Sequence, residues 1–389
     1  DFKRHLSLHR YQLWWMKPSH GTSGLEVPPE TSLILAERHS TSHNKTYVAL
    51  LPVSDTHARS CLHRPGYGNA DCDPSSLALS ADTGDAATPL PERLGILLVA
   101  TGAEPFRLVR ELVQEASRRL REQLGDGTGT AEVTHKWAPA PVFVETFGWC
   151  TWDSFYTMVS PEGIVDGLTT LHEKGVRPRW VIVDDGWQST TNDDALNTDQ
   201  WDERLVALEA NKRFRRFDDE GKLVLDLGDT VRKMKSDFGV DKVLAWHAMS
   251  GYWAGVDPEA QGMSPFEPRP ARLVAPAGVR EVDPEMQPEL DHKRFDMVPA
   301  ERVESFYLSY HKYLKDNGVD GVKVDVQSML DCMGVGNGGA PAVTRAYHEG
   351  LARSVQVTFK EGQEPAALIH CMCHASLVLF HIACASRVR

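Results

Sequence analysis

No stretch of this sequence holds the roughly 20 consecutive apolar residues that a membrane-spanning helix needs, and no tract of Lys and Arg runs through it. The formal net charge is −12. An acidic chain without a basic patch lacks the electrostatic footprint of a nucleic-acid binder. Neither nucleic acid nor membrane is therefore expected as a partner. Cysteine is sparse and odd in number: Cys61, Cys72, Cys150, Cys332, Cys371, Cys373 and Cys384 in 389 residues. That is no disulfide framework, and a reducing compartment such as the cytoplasm or a plastid is the simpler expectation. There is no C-x-x-C pair. The run His370-Cys371-Met372-Cys373-His374, with His381 and Cys384, has the residue types of a zinc site. It directly follows an apolar strand, however, so alternate residues should face opposite ways. Gly334–Gly339 resembles a phosphate loop, but no Lys follows it. No short internal repeat is visible. The chain opens Asp1-Phe2-Lys3 rather than with Met, and we expect it to be a piece of a longer one.

What remains is globular composition, 41% hydrophobic and 25% charged, long enough to bury a large core over two or three domains. The first hundred residues carry short β-rich runs at Tyr11–Trp15, Ser32–Ala36, Tyr47–Val53 and Gly95–Ala100. Stretches rich in Gly, Pro, Ser and Asp separate them, notably Arg64–Pro91. This predicts an antiparallel β-sandwich over residues 1–104 with one long loop, and places Trp14 and Trp15 in the sandwich core. From Pro105 to about Leu124 apolar residues recur at helical spacing, and a Gly/Thr-rich linker follows at Gly125–Gly129. Residues 105–139 are thus expected to connect two domains.

Over residues 140–389 apolar strands alternate with amphipathic helices. Strands are predicted at Val142–Thr151, Trp180–Val183, Lys242–Trp246, Val319–Val326 and Ala366–Cys371. Ser160 can cap a helix with Pro161 at its first position, and Gly175 can end it. Continuously apolar strands are those covered on both faces, as in a parallel sheet. Such units over ~250 residues mean a (β/α)8 TIM-type barrel, here with about five strands, or a doubly wound sheet.

Polar residues gather where these strands end. The ends read Gly148-Trp149-Cys150-Thr151-Trp152-Asp153, Asp184-Asp185-Gly186-Trp187, Trp246-His247, Lys323-Val324-Asp325-Val326-Gln327 and His370–His374. In a barrel these ends converge on the active site. Carboxylates there can accept bonds from sugar hydroxyls, and Trp can stack on a sugar ring. Lys323 and Asp325 are two apart, so on a strand they share a face, which Gln327 would continue. A carboxylate facing an anomeric carbon is the nucleophile of a retaining glycosidase. A purely structural Lys–Asp pair is the alternative, and Asp184-Asp185, with Asp193-Asp194 downstream, could instead hold a metal.

The segments FGWCTWDSFY (147–156), VIVDDGWQ (181–188), AWHAMSGYWAGV (245–256), GVKVDVQ (321–327) and HCMCH (370–374), together with LWWM (13–16), resemble the plant raffinose synthase, seed-imbibition protein and alkaline α-galactosidase family, glycoside hydrolase family 36. The resemblance runs nearly end to end. It implies a β-sandwich, a central (β/α)8 barrel and a C-terminal β domain, and double displacement on α-galactosides with no metal or cofactor. Asp325 matches the family nucleophile. Asp184 and Asp185 match acids that hold galactose hydroxyls. Lys323, Gln327 and Cys371 match sugar-contacting positions, and Trp149 and Trp246 match aromatic ones. The implied substrates are an α-galactoside donor, galactinol or a raffinose-type sugar, and a sucrose acceptor. Hydrolysis of α-galactosides is the other enzymatic reading, and a non-catalytic carbohydrate-binding protein is the reading of another class. The family's general acid/base is an Asp in an Arg-x-Ser-Asp-Asp pattern. Ser386-Arg387-Val388-Arg389 aligns with its approach, so the acid/base is expected beyond Arg389, outside this chain. Leu377 stands where relatives often carry Asp.

Overall fold

The computed structural model describes residues 2–38, 45–68, 76–123, 142–192, 200–360, 362 and 366–385. The predicted linker at Gly125–Gly129, the acids Asp193 and Asp194, and Ser386–Arg389 lie outside these residues.

The N-terminal sheet is antiparallel. Its strands are β1 (Phe2–Arg10), β2 (Met16–Gly21), β3 (Thr31–Arg38), β4 (Tyr47–Pro52), β5 (Arg59–His63), β6 (Ala78–Asp82) and β7 (Leu97–Gly102). They run in the order β2-β1-β3-β4-β7, and a β5–β6 arm leaves β3 at the Thr31–Leu62 pair. Alternation along the strands fills two faces. Leu33, Ala49, Leu51 and Leu98 pack under helix α1 (Pro105–Gln123) through its Leu108, Leu112, Ala116 and Leu120. Ile34 and Ala36 face Val27 and Leu62 on the other side. Two expectations fail here. Tyr11–Trp15 is the turn between β1 and β2, not a strand. The predicted loop Arg64–Pro91 contains β6, whose partner β5 also went unpredicted. Pairing between segments so far apart leaves no local signal.

Five parallel strands form the second sheet: Gly148–Cys150, Trp180–Val183, Lys242–Ala248, Gly321–Asp325 and Ala367–His370. Each pairs with its neighbours in chain order. A doubly wound sheet would reverse that order at a switch point; sequential pairing is the arrangement of a TIM-type barrel. Of the intervening helices, Pro161–Glu173 is the one its caps predict. Ser160 accepts from the Gly163 N–H (3.1 Å) at the start of Pro161–Glu173, and Gly175 follows its end at φ 78°. The first strand is shorter than predicted, because Val142–Glu145 coils into a 3₁₀ turn.

The barrel interior is layered by the pleat. Ile182, Leu244 and Ala367 fill it with Cys150, Trp180 and Ile369. Above this apolar layer, at the C-terminal strand ends, the inward positions become Asp184, Trp246, Lys323 and Asp325.

The N-terminal sheet and the barrel sheet are joined by buried charge. Arg10 at the end of β1 donates to Asp331 (2.7 Å), which follows the fourth barrel strand, and lies 3.4 Å from Glu30. Arg59 donates to Glu30 at 2.8 Å. All four side chains are at most 3% exposed. Two further features lie on this interface. The Gly334–Gly339 loop folds on itself, and Gly339, at φ 91°, lets the backbone close so that Ala340 N–H donates to Thr83 O (2.7 Å). Helix Ser376–Ala385 brings Phe380 into the sandwich core and Ser376 Oγ to 3.0 Å from Ser54 Oγ. Trp14 lies on the barrel side, not in the sandwich. It packs edge-on against Trp201 and Trp253, with ring centroids 6.3 Å away from each. Trp15 is 36% exposed and sits 5.4 Å from the His374 ring.

Candidate active site

The site is assembled by strand ends, so each side chain's direction follows from its parity in the pleat. On the fourth strand Lys323 and Asp325 point inward together. Lys323 Nζ donates to Asp184 Oδ2 at 2.7 Å and stands 3.8 Å from Asp325 Oδ2. Burial alone would lower the ammonium's affinity for its proton. The carboxylates of Asp184 and Asp325 outweigh burial and raise its pKa above the ordinary lysine value.

Four donors surround Asp325. Trp246 Nε1–H, from the third strand, donates to Oδ2 (3.0 Å), and the Val326 N–H donates to Oδ1 (2.7 Å). The Cys371 thiol adds a hydrogen bond, and Lys323 approaches from the pocket side. Val326 also has an unusual backbone. Val326 adopts φ 58°, ψ 25°, a left-handed conformation that a β-branched residue takes only under tertiary constraint. The same kink ends the strand. Gln327 begins a 3₁₀ turn and does not share the face of Lys323 and Asp325. Its amide donates to Val324 O (2.8 Å) and lies 2.9 Å from His370 Nδ1.

The paired acids of the second strand face different neighbours. Asp184 meets Lys323 and the Cys150 thiol, whose Sγ donates at 3.0 Å, while its own N–H donates to Thr151 Oγ1. Asp185 is 1% exposed. Its Oδ1 accepts from Tyr252 Oη–H (2.7 Å) and its Oδ2 from Trp253 Nε1–H (2.9 Å). Burial pushes its pKa up to about 7, against those two bonds. Burial and the neighbouring carboxylates raise both thiols, Cys150 to about 12 and Cys371 to about 12. Both are thus neutral hydrogen-bond donors and not nucleophiles.

Lys323, Asp325, Asp184, Trp246 and Cys371 are therefore brought together, and Asp185 lies beside them. Trp149 is not. It occupies the outward parity of its strand, and its ring covers Gly167 of helix Pro161–Glu173, where an added Cβ would lie 2.5 Å from Cζ-side ring carbon Cη2. Cys150, one residue on, takes the inward place. Cys150 and Thr151 stand in the first strand end and in FGWCTWDSFY, where the sequence assigned them no role, and Tyr252 and Trp253 were not singled out at all. The last two lie inside AWHAMSGYWAGV and could have been found only through that motif. The His370–His374 run splits as alternation requires: Cys371 faces Asp325, His370 faces Gln327, and His374 Nδ1 accepts from Met16 N–H at 3.2 Å. Among the described residues no group of three or more His, Cys, Asp or Glu is arranged to hold a metal ion, and no helix is long and apolar enough to cross a membrane.

Comparison with known proteins places this geometry in context. The family model for raffinose synthase or seed imbibition protein Sip1 matches residues 1–389. A probable galactinol–sucrose galactosyltransferase of Arabidopsis thaliana is 33% identical over 388 residues, covering 95% of this chain and 49% of its own. A galactinol–sucrose galactosyltransferase of Oryza sativa is 32% identical, covering 95% and 46%. The chain thus spans about half the length of the curated relatives it matches. The α-galactosidase of Thermus thermophilus, solved with p-nitrophenyl α-D-galactopyranoside, shares the fold at 15% identity, with a TM-score of 0.52 over 96% of this chain and 64% of its own. The match from end to end, with the relatives' identity above 30%, shows that this chain belongs to the raffinose synthase and seed imbibition protein family.

Proposed function

We propose that this chain supplies the galactosyl-binding part of a retaining enzyme that moves an α-galactosyl group from galactinol to sucrose, with Asp325 as the nucleophile. The observation that carries this reading is the carboxylate of Asp325 at the C-terminal rim of the barrel, held by Trp246 and Val326 with Lys323 3.8 Å away. A side chain so restrained is pre-organised for attack and loses little entropy on reaching the transition state. In the first step an Asp325 oxygen bonds to the anomeric carbon as the bond to the leaving oxygen breaks. That oxygen takes its proton from a second carboxyl group. In the second step an acceptor hydroxyl attacks the galactosyl–Asp325 ester and gives its proton to the same group, which restores the α configuration.

Asp184 and Asp185 then accept hydrogen bonds from galactose hydroxyls, and Lys323 and Cys371 donate to them. Lys323 also offsets part of the negative charge of Asp184 and Asp325, so that two acids can share one small pocket. Sucrose and water compete for the same intermediate, so the donor half-reaction is common to transfer and hydrolysis.

The test uses the full-length gene product. Asp325→Ala should abolish turnover of an aryl α-galactoside, and added azide should restore part of it as a galactosyl azide of β configuration. Near-normal turnover without azide would refute the assignment. With galactinol as donor, raffinose should form when sucrose is present. Free galactose as the main product at saturating sucrose would refute the transferase reading and favour hydrolysis.

A further inference from the structure

A small polar cavity adjoins the turn after the second barrel strand, next to Asp185 and outside the contacts assigned to the sugar. We propose that it holds ordered water joining Gln188 and Glu203 to Tyr252, and that these two side chains act through that water as positioning residues for Asp185; this rests on Asp185 receiving galactose hydroxyls, as read above.

The cavity measures about 30 Å³. That is room for one or two waters and far too little for a sugar ring. Thr157 reaches it from the loop after the first strand, Gly186 and Gln188 from the segment after the second, and Tyr252 from the loop after the third, with Glu203 and Arg213 between them. These walls are held apart by their own bonds. Arg213 donates to Thr157 O (2.7 Å) and to Gly186 O. Gly186 stands at φ 104°, and a Cβ there would come within 2.3 Å of Thr157 O, so the two backbones meet directly, which only glycine allows. The Glu203 carboxylate accepts from Thr190 Oγ1–H, and the Glu203 carbonyl accepts from the Ala254 N–H (2.9 Å). That second bond ties Glu203 to the segment whose Tyr252 and Trp253 side chains hold Asp185.

Two atoms of the lining call for a donor. Gln188 is 2% exposed. Its amide donates to Tyr310 Oη (2.9 Å), and its buried Oε1 has no partner among the described residues. An unmet buried acceptor is costly, and water in a polar space of this size meets it. Tyr252 spends its one hydroxyl proton on Asp185 Oδ1 (2.7 Å), so its oxygen is left to accept from the cavity. A water that donates to both atoms fixes the phenol on Asp185. A second, or the same one exchanging, brings the Glu203 carboxylate into the chain.

The titratable groups around Asp185 are Asp184 on its own strand, with Lys323 bonded to it, Tyr252 beside it, Tyr310 on helix Val303–Asp316, and Glu203 and Arg213 across the cavity. Negative charge on Glu203 strengthens the hold of Asp185 on its proton. Water in the cavity weakens it, by solvating the charged form. The two positioning residues therefore pull in opposite directions, which a test can separate.

That test compares Glu203→Gln and Gln188→Leu in the full-length gene product. Glu203→Gln removes the charge and keeps the shape. The acid limb of kcat/KM for an aryl α-galactoside should move lower by about 1 pH unit. Gln188→Leu removes the anchor of the water, and the limb should move higher by about as much. A merely structural defect lowers activity alike at every pH. Shifts of the same sign, or no shift, would overturn the proposal. The ligand-free protein offers the same signs without a sugar. The pH at which Asp185 begins to cost stability, about 7 in the wild type, should fall in Glu203→Gln and rise in Gln188→Leu. If the wild type turns over no α-galactoside, the sugar-binding reading fails by itself, and these stability curves still decide this one. If Gln188→Leu does not fold, Glu203→Gln decides alone: a midpoint moved to lower pH supports the link, and an unmoved one refutes it. A crystal structure of the full-length protein should show water within hydrogen-bond distance of Gln188 Oε1 and Tyr252 Oη, and a dry cavity would equally refute the proposal.

Discussion

Asp185→Asn should make the ligand-free protein more stable above neutral pH while impairing its sugar site. Asp185 is almost fully buried, and its pKa rises from an ordinary 3.8 to about 7, with burial as the main cause. The sign follows from proton binding. In the unfolded chain the acid loses its proton near 3.8; in the folded chain it keeps it until about 7. Between those values the folded state binds more protons, so stability is fully present below 3.8 and is lost as pH rises through 7. At 1.36 kcal/mol per pH decade the loss amounts to about 4 kcal/mol. Asparagine imitates the protonated acid. Its oxygen can accept from Trp253 and its amide can face the Tyr252 oxygen, but the Tyr252 proton then needs a new partner, which costs about 1–3 kcal/mol. The variant should therefore be slightly less stable than wild type at pH 4 and more stable, by about 1–3 kcal/mol, at pH 8. The two stability curves cross. Guanidinium titrations followed by tryptophan fluorescence at several pH values between 4 and 8 measure this directly. Parallel curves would mean that Asp185 changes charge at the same pH in both states, and the reasoning would be refuted.

Other outcomes follow from the same contacts. Asp184→Asn should lower kcat/KM for galactosides by about 10²-fold, since a charged hydrogen-bond partner is worth about 1.5–3 kcal/mol and this one also faces Lys323; a loss under threefold would take Asp184 out of the site. Arg10→Met should destabilise the protein by about 3–5 kcal/mol by leaving Asp331 buried without its cation, while Glu30 keeps Arg59, and adding Asp331→Leu should recover part of that; no recovery in the double variant would show that the pair is not coupled. Gly186→Ala should displace the loop ending at Thr157 and lower the melting temperature, because its Cβ would collide with backbone and not with a flexible side chain; wild-type stability would show that the turn relaxes freely. Chelators should leave galactosyl turnover unaltered, and metal-dependent activity would mean that Asp184 and Asp185 have been misassigned.

Much of this was legible in the sequence because it is local. Continuous apolar runs between amphipathic helices marked the five barrel strands. Ser160, Pro161 and Gly175 marked a helix at both ends. The clustering of Asp184, Trp246, Lys323 and Asp325 at strand termini follows from the (β/α) rhythm, since residues two apart on a strand share a face. Tertiary structure decided what depends on a partner far along the chain. Trp149 was expected at the site from the family resemblance, but on the three-residue strand Gly148–Cys150 it takes the outward parity and Cys150 the inward one. The left-handed turn at Val326 has no sequence signature, because Val ordinarily avoids it, and that turn removed Gln327 from the face of Asp325. β6 lies in a stretch that reads as loop and exists because β5 pairs with it. Trp14 belongs to the barrel, and Tyr252 and Trp253 bind Asp185, because burying large rings and satisfying a buried carboxylate are requirements of the assembled core, which no single segment can meet alone.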